Sequence, residues 1–289
     1  MIQETGKTIA DSISEVREAV DFCRFYANEA IRLECLPDHC ARGVIACISP
    51  WNFPLAIFTG QITASLAAGN SVIGKPAEQS SLTGARAVEL MHQVGIPKDV
   101  VQFLPGYGET VGAMLSADER ISGICFTGST DAAIAIYRSM AKSCDIEAPL
   151  IAETGGLNAM IVDSTALPEQ AVKDIIASAF QSAGQRCSAL RILYVQNEME
   201  SRLLKMLFGA IEQLRVGDPW DISTDVGPII DEHAQSDLLD YCNRMESENR
   251  LLYQRELSAH LDGYFVPPSV FRVSGIEELE REISDPFCM

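Results

Sequence analysis

Apolar residues recur at helical spacing from about residue 8 to residue 31, at Ile9, Ile13, Val16 and Val20 and then at Phe22, Phe25 and Tyr26. The spacing predicts one long amphipathic helix with no chemistry of its own. The pattern then changes character. Gly43-Val44-Ile45-Ala46-Cys47-Ile48-Ser49 is short, nearly all apolar and stopped by Pro50, as is typical of a strand buried on both faces of a parallel sheet. From there helix-spaced and strand-like runs alternate. Helices are predicted at 57–68, 82–94, 110–115 and 131–142, with strands between them at 71–74, 100–104 and 121–126. Such alternation means βαβ units and a doubly wound α/β domain.

A further apolar run, Leu150-Ile151-Ala152, ends at Glu153-Thr154-Gly155-Gly156, where the chain is expected to leave the sheet. That glycine pair predicts a boundary between a domain of residues 1–154 and one of residues 155–289. The second half reads as a helix at 168–180, a strand at 191–195 and an amphipathic helix at 200–214. A loop-rich stretch follows Gly217-Asp218-Pro219, and a charged helix is predicted at 233–248.

Composition narrows the function classes more than the fold. The 289 residues are 47% hydrophobic and 21% charged, ordinary for a soluble globular protein. A formal net charge of −18 argues against binding nucleic acid, which needs a basic face. Nine cysteines, odd in number and without repeating spacing, point to reduced thiols in a cytoplasm rather than a disulfide framework. Cys35, His39 and Cys40 lie close together but lack a second ligand pair, so no metal site is expected. No apolar run is long enough to span a bilayer, and the first residues do not form a signal peptide.

Ligands of a doubly wound sheet gather beyond the carboxyl ends of its strands, so the residues just after each strand carry the candidate chemistry. Asn52, in Pro50-Trp51-Asn52-Phe53-Pro54, can aim a side-chain amide at a developing oxyanion, or simply shape a turn. Lys75 and Glu78 can share a sugar's hydroxyls, one donating and one accepting; otherwise they form an exposed ion pair. Thr127-Gly128-Ser129-Thr130 places small residues at a helix N-terminus, where an anion is welcome and where an ordinary N-cap is equally at home. Gly106-Tyr107-Gly108-Glu109-Thr110-Val111-Gly112 has the wrong spacing for a dinucleotide fingerprint and reads as a tight strand-to-helix turn. Glu153, at a strand end beside two glycines, is expected in an enclosed place where a carboxylate serves as a general base; its alternative is a salt-bridge partner. Cys187 sits between Arg186 and Ser188, and a neighbouring cation favours the reactive thiolate; a lone cysteine is more often structural.

Together these groups describe one reaction. A thiolate attacks an aldehyde, an amide and a backbone N–H hold the oxyanion, hydride leaves to a nicotinamide, and a carboxylate activates water to hydrolyse the thioester.

As an ordered set, Ile48-Ser49-Pro50-Trp51-Asn52-Phe53-Pro54, Lys75-Pro76-Ala77-Glu78-Gln79-Ser80, Phe126-Thr127-Gly128-Ser129-Thr130, Glu153-Thr154-Gly155-Gly156 and Gly184-Gln185-Arg186-Cys187 resemble the aldehyde dehydrogenase superfamily. The resemblance implies an α/β fold in which a Rossmann-type parallel-sheet cofactor domain is followed by an α/β catalytic domain, both incomplete here. It implies Cys187 as nucleophile, Asn52 as oxyanion donor and Glu153 as base. Lys75 and Glu78 would contact the adenosine ribose of NAD, with Gly128 and Ser129 near the pyrophosphate and Trp51 also on the cofactor. Glu78 beside the ribose should repel the extra phosphate of NADP.

A finer resemblance, carried by 152–156, 158–164, 166–170 and 178–191, is to the dehydrogenase half of bacterial proline utilization A proteins. Those are bifunctional flavin- and NAD-dependent enzymes that oxidise proline to glutamate. The implied reaction is oxidation of L-glutamate γ-semialdehyde, a small-molecule aldehyde, with Arg186, Ser188 and Phe53 receiving the substrate. A covalently linked proline dehydrogenase domain and homo-oligomeric full-length relatives are also implied. Against the family pattern the chain begins late and stops early, Leu157 stands where most members are polar, and Arg281-Glu282-Ile283-Ser284-Asp285-Pro286 replaces a Glu-x-Phe-Gly-Pro motif. Glu282 would be the nicotinamide-ribose contact. The alternatives are a catalytically silent truncated fragment, a dehydrogenase for another aldehyde, and a thiol esterase.

Overall fold

The structure is a computed structural model and describes residues 1–36 and 39–279. The chain divides into two compact units. One comprises Met1, Gln3–Thr5 and Ser12–Thr154; the other comprises Ile2, Gly6–Asp11 and the residues from Gly155 on.

A short helix α1 (Ile2–Thr5) precedes the long helix α2 (Ile9–Glu34). The first unit then runs β1 (Val44–Ile48), α3 (Ala56–Ala67), β2 (Ser71–Lys75), α4 (Ser81–Gln93), β3 (Val101–Phe103), α5 (Ala113–Ser116), β4 (Ile121–Gly128), α6 (Thr130–Ser143) and β5 (Leu150–Thr154). All five strands pair in parallel, in the order β3-β2-β1-β4-β5. This is the doubly wound order, with its switch point between β1 and β4. The expected α/β class and parallel sheet are borne out.

Why these runs form inner strands is visible in their burial. Along β1, Ile45 and Cys47 join Phe58 and Ile62 of α3 and Val88 and Met91 of α4 in one core. Ala46 and Ile48, alternating with them, join Leu115, Ile124, Phe126, Ile136 and Met140 in another. Both faces of the strand are therefore covered, and no polar alternation is left in its sequence.

The second unit contains β6 (Ala159–Val162), α7 (Pro168–Phe180), β7 (Ile192–Val195), α8 (Asn197–Glu212), α9 (Glu232–Ser247), β8 (Leu251–Gln254) and β9 (Ser269–Phe271). Strands β6 and β7 pair in parallel, and β8 and β9 antiparallel. Helix α7 starts with Pro168 at its first turn, where a missing N–H costs nothing. Its Val172, Ile175 and Ala179 pack with Leu203, Leu207 and Ile211 of α8 in the unit's main core.

The long helix departs from expectation. Of its apolar stripe, Ile13, Val16, Val20 and Phe25 are exposed, whereas Asp11, Ser12, Glu15 and Ala19 are buried. Glu15 can be buried there because its carboxylate is hydrogen-bonded. Glu15 Oε1 accepts the N–H of Leu55 at 2.7 Å and of Ala56 at 3.1 Å, at the start of α3. Among the described residues no helix is long and apolar enough to cross a membrane.

Candidate active site

In the first unit the predicted residues lie where strands end. Trp51, Asn52 and Phe53 follow β1 directly, and all three are half-buried. A chain of side-chain hydrogen bonds closes the switch point beside them. Ser49 Oγ donates to Gln61 Oε1 at 2.8 Å, and Gln61 Nε2 donates to Thr127 Oγ1 at 3.0 Å. Gln61 lies on α3, so nothing in the strand-end reading pointed to it.

Lys75 ends β2 with its side chain buried, donating from Nζ to Pro76 O at 2.9 Å. Its ammonium lies 3.8 Å from Glu78 Oε2, on a side chain that is 40% exposed. Burial holds the Lys75 pKa below the usual lysine value, and the Glu78 carboxylate pulls it back up. The alternative of an exposed ion pair fails for the lysine, because a buried ammonium loses hydration that only a specific partner restores. The Gly106–Gly112 stretch leads from strand to helix: Gly108–Gly112 is a π-helical segment running into α5, and Tyr107 O accepts the N–H groups of Thr110, Val111 and Gly112.

Gly128 ends β4, and a Cβ there would strike the Phe126 ring at 2.6 Å, so the position has no room for a side chain. Ser129 is the N-cap of α6, its Oγ accepting from Ala132 N at 3.2 Å. The ordinary capping role is thus observed. It uses one lone pair and leaves the hydroxyl proton to be donated elsewhere. Glu153 pairs with Thr127 across β4 and β5 and is exposed. The expected enclosure is not found, because β5 is an edge strand. Lys75, Gly128 and Glu153, with the Trp51–Phe53 segment and Glu78, therefore lie at or just beyond the carboxyl edge of one sheet.

In the second unit Cys187 is half-buried, in a loop between α7 and β7. The approach to it is strained. Ser182, Ala183 and Gly184 take φ values of 57°, 54° and 72°, three successive left-handed residues of which only one is glycine. Buried side chains hold this turn. Asp11 accepts from Gln181 Nε2 at 2.7 Å. Gln185 Nε2 donates to Ser182 O and Pro228 O, both at 3.2 Å, while its Oε1 accepts from Ile230 N at 2.9 Å.

Arg186 was expected to receive a substrate carboxylate. The structure turns its Nη2 onto the last carbonyls of α7, Ala177 O at 2.8 Å and Ser178 O at 3.1 Å. Burial pushes its pKa down, and Asp11 and Cys187 pull it up. Nη2 of the guanidinium is thus engaged at the C-terminus of α7, beside the loop that carries Cys187. Ser188 is exposed. Glu282 lies outside the described residues.

Two further residues meet the loop and were missed. Asn158 Nδ2 donates to Cys187 O at 2.7 Å and to Ala189 O at 3.0 Å. Arg191, buried, donates from Nη1 to Gly184 O at 3.0 Å and from Nη2 to Arg186 O at 3.2 Å. Their bonds go to main-chain carbonyls, which leave no pattern in a sequence.

With these elements in place, comparison with known proteins is decisive on one point. The sequence pattern of the aldehyde dehydrogenase family matches residues 1–282. The chain belongs to that family. Among its relatives, the bifunctional protein PutA of Klebsiella aerogenes is 49% identical over 295 residues, covering 99% of this chain and 22% of the relative. A 1-pyrroline-5-carboxylate dehydrogenase of Geobacillus sp. is 36% identical over 286 residues, covering 94% of this chain and 55% of that enzyme. A crystal structure of a Bradyrhizobium japonicum proline utilization A variant superposes with a TM-score of 0.93 at 46% identity, covering 99% of this chain and 30% of that one. The chain thus spans between about a fifth and just over half of the length of these aldehyde dehydrogenase relatives.

Proposed function

We propose that this chain carries the NAD-dependent oxidation of L-glutamate γ-semialdehyde to L-glutamate in proline catabolism. Residues 1–154 would serve as the cofactor domain, and residues 155–289 as the catalytic cysteine domain. The observation that carries the reading is the Cys187 loop: a half-buried thiol on a strained turn whose carbonyls are held by dedicated side chains. Strain and bonding of that kind belong to a group that must be aimed. The names of the PutA and 1-pyrroline-5-carboxylate dehydrogenase relatives support the choice of substrate.

The residues of the first unit fit a nicotinamide dinucleotide. Lys75 and Glu78 offer a donor and an acceptor 3.8 Å apart, as two adjacent ribose hydroxyls require. Gly128 keeps the start of α6 clear of a Cβ, and Ser129 adds a hydroxyl to the N-terminus of that 14-residue helix. Trp51 and Glu282 are further cofactor contacts in this reading. When bound, the nicotinamide supplies the acceptor for hydride.

The chain's own residues do the rest. Cys187 attacks the aldehyde carbon as thiolate, and its C–S bond forms as the carbonyl oxygen takes up negative charge. The Asn52 amide and the Cys187 backbone N–H donate to that oxygen. Arg186, next to Cys187 in the chain, takes part in receiving the substrate in this reading. Phe53 and Ser188 contact the substrate. Once the thioester has formed, Glu153 takes a proton from water as the water oxygen attacks, releasing glutamate and the thiol. The bifunctional relatives support a proline dehydrogenase domain linked to this sequence, which would supply the semialdehyde.

The test is NADH formation from L-glutamate γ-semialdehyde by the whole gene product that carries this sequence. Cys187→Ala should lower kcat by at least about three orders of magnitude, as loss of a covalent nucleophile does. A gene product with intact Cys187 that forms no NADH would overturn the reading.

A further inference from the structure

Cys187 lies between two peptide planes, and each plane is held through its carbonyl oxygen by a different side chain. The plane before it is held at Arg186 O, which accepts from Arg191 Nη2 at 3.2 Å and from Ala189 N at 3.0 Å. The plane after it is held at Cys187 O, which accepts from Asn158 Nδ2 at 2.7 Å. In a trans peptide the C=O and N–H point in opposite directions, so fixing one fixes the other. Pulling Arg186 O toward Arg191 therefore sets where the Cys187 N–H points. Pulling Cys187 O toward Asn158 sets ψ at Cys187 and with it the direction of the Cα–Cβ bond.

Both clamps are themselves anchored. Asn158 O accepts Arg191 N at 2.9 Å and Ile192 N at 3.0 Å, which ties the residue before β6 to the start of β7. Asn158 also holds Ala189 O, and Arg191 also holds Gly184 O, so the two side chains grip the loop on both sides of the thiol.

We propose that Asn158 and Arg191 are positioning residues that align the Cys187 thiol with its own backbone N–H, so that nucleophile and oxyanion donor present one geometry to a carbonyl. This rests on the reading of Cys187 as the nucleophile and goes beyond it by naming what aims the group. Neither side chain touches the reacting atoms in this account; both act through main-chain oxygens.

The test separates two reactions of the same thiolate. Acylation by p-nitrophenyl acetate forms a C–S bond, passes through a tetrahedral oxyanion and expels p-nitrophenolate, so it needs the aligned N–H. Alkylation by iodoacetamide expels iodide at a saturated carbon and develops no oxyanion. Both depend alike on thiolate fraction and access, so their ratio at Cys187, read peptide by peptide by mass spectrometry on this chain, isolates alignment. Arg191→Lys keeps the charge but not the forked reach to two carbonyls, and should lower the ratio by at least about tenfold, since removal of an oxyanion donor costs about a hundredfold or more. Asn158→Asp should do the same at neutral pH, where a carboxylate faces two carbonyl oxygens. Its ratio should recover as the pH falls through the carboxyl's titration, because the protonated acid donates again. Slow alkylation of Cys242, buried in the same unit, reports that each variant is folded.

Wild-type acylation with unchanged ratios in both variants would overturn the proposal while sparing the nucleophile. An Asn158→Asp ratio that falls but ignores pH would overturn the hydrogen-bond account of Asn158. A wild-type Cys187 that is alkylated and never acylated would remove both readings together.

Discussion

Glu78 shows what a single charge at the strand end decides. Its carboxylate lies 3.8 Å from Lys75 Nζ and is partly open to solvent. In the proposed placement of the adenosine ribose, a 2′-phosphate would meet this charge, so Glu78→Gln should strengthen NADPH binding relative to NADH by about fivefold, the effect of ~1 kcal/mol for charges about 4 Å apart in water. Fluorescence titration with each nucleotide measures it; unchanged relative affinities would place Glu78 away from the ribose. The substitution also removes the upward pull on Lys75, whose pKa should move further down. At this scale the sequence located Lys75, Gly128 and Ser129 at the carboxyl ends of strands, where the structure has them. It was uninformative about surroundings. Glu153 is exposed on an edge strand although two glycines follow close behind it, and Arg186 turns its Nη2 onto the carbonyls of α7.

At the scale of elements, the buried strands were legible because burial on both faces leaves a continuous apolar run, as in β1. Helix α7 was legible through its proline start. Strands β6, β8 and β9 were not. Each is three or four residues long, but length alone is not the reason, since β7 is as short and its Ile192-Leu193-Tyr194-Val195 run reads as a strand. Helix α2 shows a different limit: periodicity reveals an apolar face but not which face is covered. The structure covers Glu15, whose carboxylate serves α3 as a cap from outside the helix, where the N-cap residue Leu55 has no side chain to do so. Glu15→Ala should leave the N–H of buried Ala56 unpaired and cost about 2 kcal/mol, against about 1 for Glu15→Gln, whose amide oxygen still accepts. Urea unfolding followed by Trp51 emission, with Trp220 replaced by Phe, reads the difference, and an alanine variant within about 0.5 kcal/mol of its parent would rule out the cap.

For the whole molecule, the informative feature is where its apolar cores lie. The clusters around Phe58 and Ile62 and around Ile124 and Ile136 fall in the first unit; those around Leu207 and Tyr241 fall in the second. Each unit therefore has a hydrophobic stabilisation of its own, and a cavity in one core need not weaken the other. The two tryptophans allow this to be read, since Trp51 belongs to the first unit and Trp220 to the second. Leu207 of α8 is fully buried, and Leu207→Ala should destabilise its unit by about 2–5 kcal/mol. With Trp51 replaced by Phe, the Trp220 transition should fall by about 1 M urea or more, given slopes of about 1–3 kcal/mol/M. With Trp220 replaced instead, the Trp51 transition should stay where it was. Ile62→Ala, fully buried in the first unit, should produce the reverse. If either cavity lowers both transitions equally, the two units unfold as one, and the separation of their cores carries no energetic independence.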